Sequence, residues 1–267
     1  MIREFTGSEG LTARVLDLPG ARNLRELGGY RMVDGRQVKA GKIYRGGHPG
    51  GIAAEHLPRL GQLGLAAIVD LRTTEERGDL PFPDSLVRST HYWTRDYELS
   101  RGNVVRLLRD PVTDPAAMRR HMIESYARFP EEQREGIGAL LCLLLEGRTP
   151  VLVNCTAGKD RTGVACALLL AALGADHQLI RQDYALTEQL HDPSGQLFAV
   201  DPDGPFAYLL KVDPQVWRTM MRSDPAYIDA TFKALEEHHG GTERYLELAH
   251  GIGPAELKRL RELLLED

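Results

Sequence analysis

The sequence predicts an α/β fold in which a central sheet is flanked by helices and a helical extension follows at the C-terminal end. Short apolar runs with the length of buried strands alternate with stretches whose apolar residues recur at helical spacing, an order typical of α/β proteins. The clearest run is residues 151–154. It lies between a helical pattern that ends at Gly147 and an apolar helix expected over residues 164–173, which Gly174 would stop.

The N-terminal half contains several short strand signals. Asp34 followed by Gly35 supplies the positive φ angles of a two-residue turn, so residues 30–33 and 36–39 are predicted to pair as a hairpin. The other elements expected in this half are a strand over 41–47, a helix over 53–62, a strand over 65–71, a short helix over 75–78 with a Thr73–Glu76 capping box, and a strand over 89–93.

Proline marks the helices of the second half. Asp114 followed by Pro115 is a typical helix start, and this helix is expected to reach residue 129. Pro130 would begin the next helix, whose apolar side chains recur at i, i+3 and i+4. Later elements are a helix over 175–190, a loop over 191–205, helices from Asp213-Pro214 and Asp224-Pro225, and helices over 242–249 and 254–265.

Composition limits the classes of protein. With 267 residues and 42% hydrophobic content the chain can bury one substantial core, so we interpret residues 1–267 as a single domain. A net charge of −5 gives no general case for nucleic acid or an anionic membrane as a partner. No apolar run approaches the roughly 18 residues of a membrane-spanning helix, and the first residues have no apolar signal-peptide core, so a protein without a Sec-type signal is expected. A cytoplasmic protein is expected, with signal-less export and the oligomeric state left open.

The chain has three cysteines, Cys142, Cys155 and Cys166. An odd, widely spaced set fits a reducing compartment better than a disulfide framework. Cys142 and Cys166 lie in apolar helical patterns and are expected to be core residues. Three histidines have no spacing typical of a metal site and are expected to be structural or exposed: His48, His91 and His121.

Cys155 opens a loop that joins the apolar strand to the apolar helix. Such a loop directs a row of backbone N–H groups from the positive end of a helix dipole, which makes an anion site and favours a thiolate. Arg161 can return its guanidinium to bind two oxygens of the same anion. A nucleophile, an amide cradle and a bidentate cation predict phosphoryl transfer through a cysteinyl-phosphate. The phosphate-binding residues would be Thr156, Ala157, Gly158, Lys159, Asp160 and Arg161.

The string CTAGKDRTG resembles the signature of the protein tyrosine phosphatase superfamily, and is most similar to its atypical bacterial branch, whose members also act on phosphoinositides. The stretches NLRELGGY and IYRGG are similar to that branch too. The resemblance implies a tyrosine-phosphatase-like sheet and hydrolysis of phosphotyrosine or phosphoinositides, with phosphoserine and phosphothreonine as further candidates. It implies no metal or other cofactor. It also implies a helical lid within residues 186–222, to which a plain packing subdomain is the alternative.

Asn154 departs from the family pattern, because the family usually has histidine before the cysteine. Asn154 can form hydrogen bonds but cannot be cationic. It is therefore expected either to leave the thiolate less stabilised or to brace the loop. Thr162 can donate its hydroxyl to the sulfur and later help it leave.

The leaving oxygen needs a proton, and the resemblance places the acid in the loop after the strand over residues 89–93. Asp96 is the preferred candidate, although the family's Trp-Pro-Asp string is missing. Asp160 is the rival acid, and a third interpretation has Asp160 orienting Arg161. Lys159 either adds positive charge to the mouth of the loop or is simply solvated.

Other charged residues have structural and functional interpretations. Asp70 and Arg72 follow a strand and are interpreted as a structural ion pair in preference to catalytic groups. Three N-terminal arginines either line an acidic-substrate site or pair with Glu26 or other carboxylates: Arg22, Arg25 and Arg45.

Two other classes of function remain open. Because Asn154 replaces histidine, the loop could belong to a phosphate-binding pseudoenzyme. A sulfurtransferase also uses a cysteine in a cradle loop, but Arg161 and Thr162 favour a phosphate dianion.

Overall fold

The computed structural model describes residues 14–98, 102–190 and 207–267. Within these ranges the chain forms a five-stranded mixed sheet with helices packed against it, so the predicted α/β class is confirmed. Most of the polar opening segment and the loop expected over residues 191–205 lie outside the described residues.

The strands are β1 (Arg25–Glu26), β2 (Gln37–Val38), β3 (Ile43–Gly47), β4 (Ala67–Asp70), β5 (His91–Trp93), β6 (Val151–Cys155) and β7 (Leu265–Glu266). The central sheet has the order β1-β3-β6-β4-β5. β1 runs antiparallel to β3, and the other neighbours in this sheet are parallel. β6 is therefore the middle strand.

The α-helices that the structure describes carry the rest of the fold. They are α1 (Leu57–Gly61), α2 (Thr74–Asp79), α3 (Asp84–Ser89), α4 (Gly102–Arg109), α5 (Pro115–Glu132), α6 (Arg134–Leu145), α7 (Asp160–Leu173), α8 (His177–Ala185), α9 (Thr187–Leu190), α10 (Pro214–Met221), α11 (Pro225–His239), α12 (Thr242–His250) and α13 (Pro254–Leu264).

The residues of β6 alternate between two hydrophobic clusters, one on each face of the sheet. Val151 and Val153 belong to the larger cluster, whereas Leu152 belongs to the smaller one. Burial on both faces explains why the parallel strands are continuous apolar runs in the sequence. α7 packs in the larger cluster with almost every residue buried, so the loop that joins it to β6 has two rigid ends.

The two arms of the hairpin predicted around Asp34 are joined, although only β2 is a regular strand. Gly35 has a φ of +92° and the chain turns there. A bridge joins Arg31 to Gln37, and Met32 N and Val38 N donate to the carbonyls of Arg36 at 2.7 Å and Tyr30 at 2.9 Å. β2 also pairs with β7, and the final helix, expected to reach residue 265, ends at Leu264. The hydrophobic pattern of one segment cannot reveal this pairing, because the partner lies at the other end of the chain.

Pro130 does not begin a helix as predicted. It lies in the last turn of α5, which continues to Glu132, and α6 begins at Arg134. The strand expected over residues 89–93 is also shorter, because Ser89 ends α3, a helix that the sequence pattern did not predict.

The lid expected within residues 186–222 is described only at its ends. These are α9, a 3-10 turn at Ala207–Lys211, and α10. None of the helices in the described ranges combines the length and the apolar character that crossing a bilayer requires.

Candidate active site

Cys155 is the last residue of the middle strand of the sheet. In the strand register Cys155 lies opposite Gly47 of β3, and Asn154 lies opposite Asp70 of β4. Parallel strands bring their carboxyl ends to one edge, which is where open α/β sheets bind ligands. Cys155 is only 2% exposed, so its thiol lies below the surface of this edge.

The loop after the cysteine packs so closely against β3 that it needs glycine. Gly158 has a φ of +71°, and a Cβ there would lie 2.3 Å from the backbone of Gly46. The carbonyl of Gly158 accepts hydrogen bonds from Asn23 Nδ2 at 2.8 Å and Arg45 Nη2 at 3.0 Å. A carbonyl turned outward in this way is compatible with a cradle of N–H groups on the inner side of the loop.

Arg25 and Arg45 are buried next to the loop, and both pair with Asp183 of α8. Tyr30 donates its hydroxyl to the same carboxylate at 2.9 Å. Burial disfavours the charged form of Asp183, but the two guanidinium groups outweigh that cost and lower its pKa to about 2. The substrate-lining interpretation is therefore wrong for Arg25 and Arg45. Their structural pairing is confirmed, with Asp183 in place of Glu26.

The guanidinium of Arg161 is held by Glu76 of α2. Nη1 lies 2.7 Å from Oε2 and Nη2 lies 2.9 Å from Oε1, which is a bidentate pair. Nη1 also donates to the carbonyl of Leu71 at 3.0 Å. Burial opposes charge on Glu76, but the hydrogen bonds from Arg161 outweigh it and hold the pKa of this carboxyl well below its usual range. The plane of the guanidinium is thus fixed by protein contacts alone.

Glu76 is the site residue that sequence reasoning missed. Its capping box is confirmed, because Thr73 N donates to Oε2 at 2.9 Å and Thr73 Oγ1 accepts from Glu76 N at 3.2 Å. The other carboxylate oxygen accepts from the hydroxyl of Thr156 at 2.5 Å. One carboxylate therefore joins a helix start, the loop and Arg161. Its position just after β4, next to the strand that carries the cysteine, is the signal that could have identified it.

Asn154 is fully buried and hydrogen-bonds to a neighbouring ion pair. Its Nδ2 donates to Asp70 Oδ1 at 3.1 Å, and its Oδ1 has no hydrogen-bond partner among the described residues. Arg72 binds both oxygens of Asp70, and Tyr92 donates its hydroxyl to Oδ2 at 2.6 Å. Asp70 and Arg72 therefore form the structural ion pair that the sequence predicted, and Asn154 joins the loop strand to it.

The two candidate acids lie in different surroundings. Asp96 follows β5, and its side chain is 85% exposed, with Oδ1 at 2.5 Å from Arg77 Nη2. Asp160 is the first residue of α7, where Oδ1 accepts a hydrogen bond from the hydroxyl of Tyr126 at 2.7 Å and forms an ion pair with Lys159 Nζ at 2.8 Å. The sequence suggested Asp160 as the residue that orients Arg161, but in the structure Glu76 binds the guanidinium of Arg161.

Lys159 is neither at the mouth of the loop nor solvated, because its side chain is buried. Besides Asp160, Nζ contacts the carbonyls of Met220 at 2.9 Å and Arg222 at 3.4 Å, which tie the loop to the end of α10. Thr162 is buried as well. Its hydroxyl has no hydrogen-bond partner in the described parts of the chain, so the expected bond to the sulfur is not formed here.

The remaining cysteines and histidines take structural positions. Cys166 is buried, as predicted, and burial raises its pKa to about 11. The prediction for Cys142 is wrong, because it is exposed on α6. His48 is buried, accepts from Gly50 N at 2.9 Å, and has its pKa lowered to about 4, chiefly by burial. Across the ranges that the structure describes, no group of three or more His, Cys, Asp or Glu residues could hold a metal ion.

Comparison with known proteins agrees with this geometry. A family model described as the tyrosine phosphatase family matches residues 16–266. The chain is 32% identical over 238 residues to the Cupriavidus necator protein named "Putative tyrosine-protein phosphatase H16_A0669", an alignment that covers 88% of this chain and 84% of that protein. It is 27% identical over 287 residues to the Mycobacterium tuberculosis protein named "Triple specificity protein phosphatase PtpB", with 94% of this chain and 99% of that protein covered. The chain belongs to the tyrosine phosphatase family and is a hydrolase of that type.

Proposed function

We propose that this protein hydrolyses phosphomonoesters in two steps through a cysteinyl-phosphate on Cys155. The observation that carries the proposal is the bidentate Glu76–Arg161 pair beside a buried cysteine at the carboxyl edge of the central strand. A guanidinium that is already oriented can bind two equatorial oxygens of a phosphoryl group without further ordering.

In the first step the thiolate of Cys155 attacks phosphorus and the S–P bond forms as the P–O bond to the leaving group breaks. Charge on the transferred phosphoryl group is spread over its equatorial oxygens, so catalysis depends on positioning and electrostatic stabilisation. Arg161 and the backbone N–H groups of residues 156–161 supply both. In the second step water attacks phosphorus and gives its proton to the carboxylate that protonated the leaving group, and the sulfur leaves as a thiolate. The proposed donor to this thiolate is Thr162, whose hydroxyl has no other partner among the described residues and would turn toward the sulfur.

Asp96 is the proposed acid that protonates the leaving oxygen. Its carboxylate is exposed and contacts Arg77 and the hydroxyl of Thr74, which lie on the same helix as Glu76. Asp160 stays the competing candidate. Its contacts with Tyr126 and Lys159 support a role in fixing the start of α7.

The proposed substrates are phosphotyrosine in proteins and phosphoinositides, with phosphoserine and phosphothreonine as further candidates. The names of the relatives support a protein substrate, because one contains "tyrosine-protein phosphatase" and the other "triple specificity protein phosphatase". We also propose that α10, in the segment where the lid is expected, covers the loop, since Lys159 binds carbonyls at the end of α10. A reducing compartment, a single domain and turnover without a cofactor likewise stay predictions.

A substrate panel on a single preparation tests the proposal. Phosphotyrosine, phosphoserine and phosphothreonine peptides and phosphoinositides would be assayed in parallel with the Cys155→Ser variant. We expect turnover of the phosphotyrosine peptide that is lost in the variant. A protein that binds phosphate but releases no product from any of these would be a pseudoenzyme. Persulfide formation from thiosulfate would instead indicate a sulfurtransferase.

A further inference from the structure

Arg22 has a backbone fixed against the phosphate loop. Its carbonyl accepts a hydrogen bond from Gly47 N at 2.7 Å, and the next residue, Asn23, donates to the carbonyl of Gly158 at 2.8 Å. A Cβ built on Gly47 would lie 3.0 Å from Arg22 Cβ and 2.9 Å from the carbonyl oxygen of Thr156. Since Gly47 is the register partner of the cysteine, Arg22 stands at the rim on the β3 side of the site.

The guanidinium of Arg22, in contrast, is exposed and has no hydrogen bond or ion pair to any residue that the structure describes. Six cations around the loop are instead paired with carboxylates. These pairs are Arg25 and Arg45 with Asp183, Arg72 with Asp70, Arg77 with Asp96, Lys159 with Asp160, and Arg161 with Glu76. Arg22 therefore combines a fixed backbone with N–H donors that no described residue occupies, so it is suited to bind an anion on the substrate.

We propose that Arg22 binds the carboxylate of an aspartate or glutamate next to the phosphotyrosine of a peptide substrate. This inference rests on the proposed function and names the substrate class more narrowly. A carboxylate accepts two parallel N–H bonds from a guanidinium, so the contact would select acidic sequences around the phosphorylated residue.

The depth of the site favours a peptide over an inositol lipid as the source of this second anion. Cys155 is 2% exposed, whereas Arg22 is exposed at the rim. The long tyrosine side chain holds the peptide backbone away from its phosphate, so flanking side chains reach the rim while the phosphate reaches the cysteine. Neighbouring phosphates on one inositol ring are attached to adjacent ring carbons, so a second phosphate stays near the depth of the first.

Two phosphotyrosine peptides test this proposal, one with glutamates beside the phosphotyrosine and the other with glutamines at the same positions. For the wild type we expect a higher kcat/KM on the acidic peptide. In Arg22→Ala the acidic-to-neutral ratio of kcat/KM should fall about fivefold, mainly through KM, because the contact is made equally in the ground and transition states. In Arg22→Glu the preference should reverse. Arg148→Ala is the matched control, since it removes the same charge just before β6 begins, at the opposite edge of the sheet.

The remaining outcomes overturn the proposal in distinguishable ways. An unchanged ratio in Arg22→Ala, or an equal change in Arg148→Ala, would exclude a local contact while leaving the phosphatase assignment intact. A loss of turnover on inositol bisphosphates relative to monophosphates, with the peptide ratio unchanged, would assign Arg22 to a lipid headgroup. Absence of Cys155-dependent turnover by the wild type on either peptide would refute the proposed function and this inference together.

Discussion

Both carboxylate oxygens of Glu76 bind the guanidinium of Arg161, and one of them also accepts the hydroxyl of Thr156. Glu76 lies on α2, Arg161 lies on α7, and Thr156 lies in the loop between β6 and α7. One side chain therefore joins three segments of the chain. The arrangement leaves Arg161 oriented by the protein before it meets a phosphate. Loss of Glu76 should therefore damage catalysis more than folding.

Glu76→Gln should lower kcat/KM for p-nitrophenyl phosphate about ten- to a hundredfold, because a hydrogen bond to a charged group contributes roughly 1.5–3 kcal/mol. The amide retains the shape of the carboxylate but not its charge, and it cannot accept from both nitrogens of Arg161. Asp79→Asn, on the exposed end of the same helix, is the control and should behave as wild type. Equal kcat/KM values for Glu76→Gln and wild type would mean that Arg161 is oriented by its other contacts.

Acid should remove the stabilisation that Asp183 provides. Its pKa is lowered to about 2 in the folded state, so the carboxylate contributes stability above the unfolded pKa of about 3.9, and this contribution is lost as the pH falls toward 2. At neutral pH, Asp183→Asn should cost about 3–5 kcal/mol because Arg25 and Arg45 stay buried without a counter-charge. Urea unfolding of both proteins between pH 6 and about 2 should show this difference shrinking. If the difference in free energy of unfolding stayed constant with pH, Asp183→Asn would destabilise the protein through lost packing and not through lost charge.

Much of this arrangement was predictable from local sequence. Val151 to Cys155, the loop and α7 follow one another directly, so strand, anion loop and helix could be identified from a single stretch. The Asp70–Arg72 pair could also be predicted, because both residues lie at one strand end. Asp183 and Glu76 could not be assigned in this way. Their partners lie far along the chain, and only the folded structure brings Asp183 to Arg25 and Glu76 to Arg161.

Burial was harder to predict than element type. Lys159 was expected to be charged at the mouth or solvated, yet carbonyls from the end of α10 hold its ammonium inside. Cys142 lies in an apolar stretch but is exposed on α6. Helical spacing shows which residues share a face of the helix, but it does not show which face the neighbouring elements cover.

Asn154→His should lower the melting temperature without shifting the pH dependence of iodoacetate inactivation of Cys155. The hydrogen bond from Nδ2 to Asp70 favours the bracing interpretation of Asn154 over an electrostatic role. The larger imidazole would overfill a fully buried position, at a cost of about 1–3 kcal/mol. Inactivation that develops at lower pH in the variant would support the electrostatic role instead.

The acid can be identified from the leaving group. If Asp96 is the proton donor, Asp96→Asn should slow hydrolysis of phenyl phosphate by about a hundredfold or more, and of p-nitrophenyl phosphate by only a few-fold, because nitrophenolate hardly needs a proton. Asp160→Asn is the matched comparison and should slow both substrates by similar factors, since we place its carboxylate in support of α7. The opposite pattern in the two variants would assign the acid to Asp160.

Transfer of phosphate to Cys155 can be tested by rapid acid quenching of the wild-type enzyme during turnover of p-nitrophenyl phosphate. Mass spectrometry of the peptide that contains Cys155 should show one added phosphoryl group. The first turnover should release nitrophenolate in a burst if hydrolysis of the intermediate is slower than its formation. Cys155→Ser should show neither the adduct nor residual turnover above about 1% of wild type, because a serine hydroxyl is not ionised by this site. Sustained turnover by Cys155→Ser, or phosphate attached to another residue, would exclude Cys155 as the nucleophile.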